Sequence, residues 1–223
     1  MHTFDTPAPV TAVLDIPAGR IRLIAADRTD TSVEILPDNA ASSRDVKAAE
    51  QTDVTYDDGI LRITAPQAKN PILGNRGSVE VTVQLPAGSR VEATTALAEL
   101  RGVGRLGDVA FEGAQGTVRL DETAGARLTL QSGDITVGRL NGPAHLTTQQ
   151  GDLTVTEAVH AHLTLHTHSG DITTHAAPGT SATLDAKTTH GRIHNTLKNT
   201  GSAGATLTIH ATTTHGNITA HSH

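Results

Sequence analysis

A short motif recurs along the second half of the chain and constrains its fold more than any other feature. It is a glycine followed by a polar residue and a short branched strand, and its clearest copies are Ser132–Val137, Gln150–Val155 and Ser169–Thr174. Weaker or incomplete copies begin at Ala98, Gln115, His190 and His215. Counted from Ala98, which takes the place of the glycine, to Gly116 and then from glycine to glycine, successive copies are 18, 17, 18, 19, 21 and 25 residues apart. Repetition at nearly constant spacing predicts structural units that stack on one another.

A second, weaker motif lies between copies of the first, so the chain is predicted to turn about every nine residues. Its copies begin at Gly107, Gly125, Gly142, His160, Gly179 and Gly204. Two short strands cannot bury an apolar face alone, whereas units stacked about 4.8 Å apart bury a continuous column. The predicted inward columns are Val118/Leu120, Ile135/Val137, Leu153/Val155, Ile172, Ile193 and Ile218 on one side, and Val109/Phe111, Leu128/Leu130, Leu146, Leu163/Leu165, Leu184 and Leu207/Ile209 on the other. Threonine is expected to alternate outward.

The scarcity of aromatic side chains fits a thin core built from Ile, Leu and Val. The 223 residues include two Phe, one Tyr and no Trp. Aromatic rings are the stacking platforms of many nucleic-acid-binding modules, and a net charge of −6 offers no basic footprint for phosphates. We therefore expect no nucleic-acid partner. The absence of cysteine excludes disulfides, thiolate metal sites and a cysteine nucleophile.

Residues 1–90 lack the regular repeat. They are predicted to form a β-rich region that packs on or caps the repeats of residues 91–223. Alternating apolar residues predict strands at Val10–Ile16, Ile21–Ile24, Ser32–Leu36, Val54–Tyr56, Ile60–Ile63 and Val79–Leu85. Turns are predicted at Pro17–Gly19 and Pro86–Gly88, a Gly/Pro/Asn loop at Asn70–Gly77, and one helix at Ser43–Gln51 with Ser42 or Ser43 as its N-cap. The predicted fold is all-β: a parallel β-helix or solenoid of six to seven coils, preceded by a β-rich region with one short helix.

These features together resemble a known family. The Ser-Gly-Asp-Ile-Thr-Val copies, with Leu85–Glu92, Pro17–Gly19 and Lys47–Glu50, look like the bacterial β-strand-repeat family of unknown function labelled "putative adhesin" (DUF4097-like). The resemblance covers nearly the whole chain. It implies a repetitive β fold and an adhesin-like role.

Three carboxylates follow the motif glycine, namely Asp134, Asp152 and Asp171. In stacked repeats they would form one column, which Arg192 and Asn217 continue. Such a column could bind Ca²⁺ or serve acid–base chemistry on a polysaccharide, although like charges at this spacing repel unless they are solvated or bridged. Alternatively, an Asp at a Gly-Asp corner accepts hydrogen bonds from local backbone N–H groups. The sequence leaves both interpretations open.

Histidine is concentrated late in the chain, since twelve of the thirteen lie at or after His145. An unperturbed imidazole titrates near pH ~6.5, so this region should respond to mild acid. Neutral imidazoles bind Zn²⁺, Ni²⁺ and Cu²⁺, and the candidate ligands are His160, His162, His166, His168, His190 and His215. Two positional expectations are specific: His190 and His215 stack, and His145 and His162 occupy equivalent positions. The alternative is an array of solvated outward side chains that binds Zn²⁺, Ni²⁺ or Ca²⁺ only weakly and holds no cofactor.

The functional prediction is a non-enzymatic β-solenoid that presents a repetitive Thr/His/Asp surface to a protein or surface ligand. A self-assembling scaffold and a carbohydrate-active enzyme using the Asp134, Asp152 and Asp171 column are the alternatives. A homo-oligomer could form through the ends or edges of the solenoid. The first ten residues lack the basic and apolar regions of a signal peptide, and no apolar run approaches the ~18 residues of a membrane span. We therefore expect a cytoplasmic location.

Overall fold

The computed structural model describes residues 1–66, 77–199 and 206–222. The loop predicted at Asn70–Gly77 lies outside these ranges except for Gly77, and so do Gly204 and Ala205 of the last copy of the second motif. The described residues form one helix, α1 Ser43–Glu50, and seventeen strands: β1 His2–Asp5, β2 Thr11–Ala26, β3 Asp30–Pro37, β4 Asp53–Asp57, β5 Ile60–Thr64, β6 Val79–Pro86, β7 Arg90–Gln115, β8 Val118–Ser132, β9 Ile135–Leu140, β10 Ala144–Gln150, β11 Leu153–Ala158, β12 Ala161–Ser169, β13 Ile172–Ala176, β14 Ala182–His190, β15 Ile193–Thr196, β16 Leu207–His215 and β17 Ile218–Ser222. The all-β class with one short helix is confirmed.

The helix begins where the sequence predicted it. The Ser42 hydroxyl accepts a hydrogen bond from the Asp45 N–H at 3.4 Å, which satisfies one of the free N–H groups of the first turn. Gln51 is the C-cap rather than the last helical residue. Within the described ranges, no helix combines the length and the apolar character needed to cross a bilayer.

The chain divides into two compact units, Met1–Gly116 and Thr117–His223. In the first unit, β2 pairs in parallel with β7 on one side and with β5 and β6 on the other, while β3 and β4 add antiparallel to β6 and β5. The buried residues are mainly branched aliphatic side chains, such as Ile16, Leu23 and Leu61. The boundary predicted at residue 90, and the packing of that region on the repeats, stay predictions.

One predicted turn of the first unit is wrong. β2 continues through Pro17–Gly19 as a single bent strand, because its pairing with β7 is kept on both sides of the bend, from Ile16–Thr95 to Ala18–Leu97. Gly19 allows the bend with a φ of 137°, a conformation that other residues rarely adopt. The turn predicted after Leu85 is confirmed, since β6 ends at Pro86.

The second unit is built from two-strand layers that stack in parallel. In chain order the layers are 126–140, 144–158, 161–176, 182–196 and 207–222, and each contributes one strand to each of two sheets. One sheet contains β8, β10, β12, β16 and β14 in that order, and the other contains β8, β9, β11, β13, β17 and β15.

The stacking order differs from the chain order. β16 pairs with β12 on one side and with β14 on the other, and β17 lies between β13 and β15 in the same way. Layer 207–222 is therefore inserted between layers 161–176 and 182–196, whereas the sequence predicted serial stacking. As a result, layer 182–196 lies at the end of the stack, and Ile193, predicted to be inward, is 46% exposed.

Two further expectations about the columns need correction. Leu146 pairs with Leu165, which the predicted column includes, and His145 therefore lies opposite Thr164 instead of occupying a position equivalent to His162. Threonine does not always point outward. Six of the described threonines of this unit are buried, namely Thr123, Thr148, Thr167, Thr174, Thr180 and Thr213.

Glycine at the corner between the two strands of a layer is required by the closeness of the next layer. Gly151 has a φ of 142°, and a Cβ built on it would overlap the carbonyl oxygen of Gly133. Gly170 and Gly216 meet the preceding layer's glycine carbonyl in the same way. The backbones therefore approach too closely for any side chain at these corners.

We expect Gly151→Ala to lower the free energy of unfolding by about 3 kcal/mol or more, because backbone strain and overlap with Gly133 add together. The matched control is Gly179→Ala. Gly179 has a φ of +78° but no atom within 4 Å of the added Cβ, so about 1 kcal/mol is expected. Urea unfolding of both variants measures the difference. Equal losses would contradict the close approach of the layers.

Candidate functional site

The three motif carboxylates lie in one column, and each bonds to the next layer. An Asp134 carboxylate oxygen accepts the Asp152 N–H at 2.8 Å, and an Asp152 carboxylate oxygen accepts the Asp171 N–H at 2.7 Å. Asp171 accepts the Asn217 N–H at 2.6 Å, and the Asn217 side-chain oxygen accepts the Arg192 N–H at 3.0 Å. The column follows the stacking order, so Asn217 precedes Arg192.

The geometry of this column favours the structural interpretation of the aspartates. Each exposed side chain offers an acceptor to a backbone N–H of the following layer, and not to the local N–H groups of its own corner that the sequence predicted. Asn217 performs the same task with a neutral amide oxygen. The feature that Asp134, Asp152, Asp171 and Asn217 share is a side-chain acceptor at this position.

A parallel column of buried threonines was missed by the sequence reasoning. The hydroxyls of Thr148, Thr167 and Thr213 donate to the carbonyl oxygens of Gly133, Gly151 and Gly170 at 3.2, 3.0 and 3.0 Å. The Thr188 hydroxyl donates to the Gly216 carbonyl at 2.9 Å. The sequence signal was present, because each threonine stands three residues before a corner glycine. The expected alternation of inward and outward residues along a strand conflicts with this signal, because it places every threonine on the outer face.

A regular polar surface of this unit is the outer side of the sheet formed by β8, β10, β12, β16 and β14, which we call the Thr/His face. Two rows cross these strands in register and are exposed or half-buried. One row is Arg127, His145, Thr164, His210 and Asp185, and the other is Thr129, Thr147, His166, Thr212 and Lys187. The His210 Nδ1 lies 3.2 Å from an Asp185 carboxylate oxygen. Parallel strands in fixed register thus hold hydroxyls and imidazoles in a regular array.

Histidines also stack across the last three layers. His215 lies between His168 and His190, with ring centroids 5.8 and 4.9 Å apart, and its contact with His190 is a parallel stack. His221 lies between His175 and His194 at 5.5 and 5.4 Å. The predicted stacking of His190 with His215 is confirmed. The second column was not predicted, because it depends on the insertion of layer 207–222.

The remaining candidate metal ligands lie apart from these columns. His162 lies opposite Thr208, His166 lies between Thr147 and Thr212, and His160 is exposed just before β12. Across residues 1–66, 77–199 and 206–222, no group of three His, Asp or Glu side chains is arranged to hold a metal ion. The metal-binding role of the six histidines stays a prediction.

The first unit has a cleft of about 510 Å³, which is lined in part by Arg20, Asp38 and Leu97. Leu97 is 57% exposed. The Arg20 guanidinium donates to an Asp38 carboxylate oxygen at 2.6 Å and lies 3.5 Å from a Glu80 carboxylate oxygen. Because two carboxylates already neutralise this cation, the cleft wall is poorly suited to an anionic ligand.

Comparison with known proteins establishes the family. The family model described as Toastrack DUF4097 matches residues 75–221, and the chain belongs to this family. A structure described as a "putative adhesin" from Bacteroides fragilis is similar over 100% of this chain and 95% of its own, with 15% identity and a TM-score of 0.58. A search of the curated proteins found no match.

Two Parabacteroides structures are more distant. A "putative adhesin" from Parabacteroides merdae matches 98% of this chain and 94% of its own at 10% identity and a TM-score of 0.48. A "putative lipid binding protein" from Parabacteroides distasonis matches 98% and 95% at 12% identity and a TM-score of 0.47. Of these three structures, the one from Bacteroides fragilis has a TM-score above 0.5. At 15% identity it shows that the two chains share a fold.

We expect Asp152→Ala to lower the free energy of unfolding by about 1 kcal/mol, because the Asp171 N–H loses its acceptor. Asp152→Asn keeps an acceptor, as Asn217 does, and should stay within about 0.5 kcal/mol of the original chain. Urea unfolding separates the two. If Asn destabilises as much as Ala, the column depends on charge and the structural interpretation fails.

Proposed function

We propose that the protein is a non-enzymatic, adhesin-like interaction protein in which residues 117–223 form a parallel β-solenoid. In this proposal the Thr/His face binds a protein or a surface ligand. The observation that carries it is the pair of in-register rows on five parallel strands. Rigid strands fix the positions of the side chains, and stacked repeats provide an extended binding surface. The coil number of six to seven and a cytoplasmic location stay predictions.

The chemistry of the face suits a polar ligand with repeated groups. Threonine hydroxyls and neutral imidazoles can each donate and accept a hydrogen bond, so the face matches a ligand that alternates donors and acceptors. Holding these groups on β-strands lowers the ordering cost of binding compared with a loop surface. The half-buried Thr147 lies near the centre of the face and is the natural position for a test.

The aspartate column supports the non-enzymatic part of the proposal. A general acid and base need two carboxylates in different environments within reach of one bond. Asp134, Asp152 and Asp171 instead repeat one environment, and each accepts an N–H from the next layer. Their geometry is accounted for by the stacking of layers.

We expect Thr147→Arg to weaken binding of any ligand found on an array of purified polysaccharides and proteins by about ten-fold or more, because a long charged side chain interrupts the face. Thr154→Arg is the matched control. Thr154 is also half-buried and belongs to the same layer, but it lies in the other sheet and should leave binding unchanged. Binding that survives both substitutions would exclude the Thr/His face.

The same polysaccharides test the enzymatic alternative. Incubation with the protein should release no new reducing ends. Release that Asp152→Asn abolishes would overturn the proposal in favour of a carbohydrate-active enzyme, since Asp152→Asn is expected to leave the fold intact.

The central position of His215 favours a second, weaker candidate function, the binding of Zn²⁺ or Ni²⁺. Its ring lies next to both His168 and His190, and neutral imidazole is a ligand of both ions. A ligand that binds only the folded state raises its stability.

We expect millimolar Zn²⁺ or Ni²⁺ to raise the Tm. In a chain of this size the Tm rises by about 2–4 °C for each kcal/mol that binding adds to the free energy of unfolding. His215→Asn should remove most of this rise. His145→Asn is the control, because His145 lies opposite Thr164 and outside the stacked columns. An unchanged Tm with both ions, or equal rises in both variants, would exclude a site at His215.

A further inference from the structure

The end of the layer stack leaves one strand with an open edge. β14 pairs with β16 on one side, and in the part of the chain that the structure describes no strand pairs with its other side. Its neighbour in the same layer, β15, is exposed along its whole length. An edge strand presents unpaired N–H and C=O groups that can pair with another chain.

The backbone of β14 shows which residues direct these groups outward. The Ser181 carbonyl oxygen accepts the Leu207 N–H at 3.1 Å, so it points toward β16. The N–H of the same peptide belongs to Ala182 and points the opposite way, where it donates to the Lys198 carbonyl at 3.2 Å. Backbone groups alternate along a strand, so Leu184, Ala186 and Thr188 also direct N–H and C=O to the open edge.

The side chains along this edge are self-complementary. Asp185 and Lys187 are both exposed on the Thr/His face, and the Asp185 side chain is 80% exposed. One carboxylate oxygen of Asp185 lies 3.2 Å from the His210 Nδ1. The charges lie one residue before and one residue after Ala186, so a two-fold axis through Ala186 exchanges their positions.

We propose that β14 pairs antiparallel with β14 of a second copy of this chain about a two-fold axis at Ala186. Asp185 of each copy then lies opposite Lys187 of the other. Leu184 lies opposite Thr188, and the outward backbone groups of Leu184, Ala186 and Thr188 supply about six main-chain hydrogen bonds. This interface is formed by the edge of β14, three strands away from β10, which carries the Thr147 tested above.

Register and orientation both follow from this charge pattern. With Ala186 at the axis, Asp185 and Lys187 form non-hydrogen-bonded pairs, in which facing side chains approach most closely. Moving the axis to Leu184 or Thr188 removes both charge pairs. A parallel arrangement in register would place like charges opposite each other, which is unfavourable.

The proposed contact forms a closed dimer, whereas a solenoid end that pairs head to tail would polymerise. A two-fold interface uses the same strand on both copies, so it closes after one contact. A lone lysine on an edge strand usually protects it from pairing. Here the carboxylate two residues earlier converts Lys187 into half of a complementary pair, so pairing in one orientation is favoured.

Sedimentation of the full chain over a range of concentrations tests the proposal. We expect a reversible dimer that weakens as salt is raised to about 0.5 M, because exposed charge pairs are screened. Asp185→Lys and Lys187→Asp should each weaken the dimer by about ten-fold or more, since each places like charges opposite one another. The double variant Asp185→Lys/Lys187→Asp restores complementarity and should dimerise like the original chain.

An equimolar mixture of the two single variants gives a second, independent result. One variant carries two lysines and the other carries two aspartates at these positions, so the mixture should form a heterodimer although neither forms a homodimer. Urea unfolding confirms that each variant is folded. A chain that stays monomeric at about 100 μM, or single variants that dimerise like the original chain, would overturn the proposal.

Discussion

Neighbouring layers of the second unit meet at glycine corners where the two backbones are too close to admit a side chain. At each of these corners a threonine hydroxyl and an aspartate or asparagine oxygen bond to the adjacent layer. These contacts fix the register of one layer on the next. The regular rows of the Thr/His face exist because that register is repeated.

The insertion of layer 207–222 determines the rest of the second unit. It places His215 and His221 in the middle of two histidine columns and leaves layer 182–196 at the end of the stack. The same insertion explains why Ile193 is exposed and why β14 has an open edge. The polar late repeats therefore form the end of the stack, but the terminal layer is not the last one in the sequence.

Much of this fold was predictable from the sequence, because strands, corners and helix caps are local features. Alternation located most strands, the Gly-Asp motif located the corners, and Ser42 marked the start of the helix. The order of the layers was not predictable in this way, since a repeat period gives no information on which layer pairs with which. The spacing of 25 residues before Gly216 was the available signal, because it leaves ten residues between β15 and β16 for the chain to cross back. The sequence motif was sufficient to predict that the three aspartates form one column. The threonine column could be recognised only from the geometry of the glycine corners.

The most direct test of the inserted layer is disulfide trapping, which the absence of native cysteine makes unambiguous. His210 pairs with Thr164 on one side and with Asp185 on the other, so Thr164 and Asp185 are separated by a strand. Neighbouring strands lie about 4.8 Å apart, within reach of a disulfide, but two strand spacings exceed the limit of about 7 Å. The pair Thr164→Cys/His210→Cys should therefore oxidise within one chain, and Thr164→Cys/Asp185→Cys should stay reduced. The opposite result would mean that the layers stack in chain order and would contradict this account.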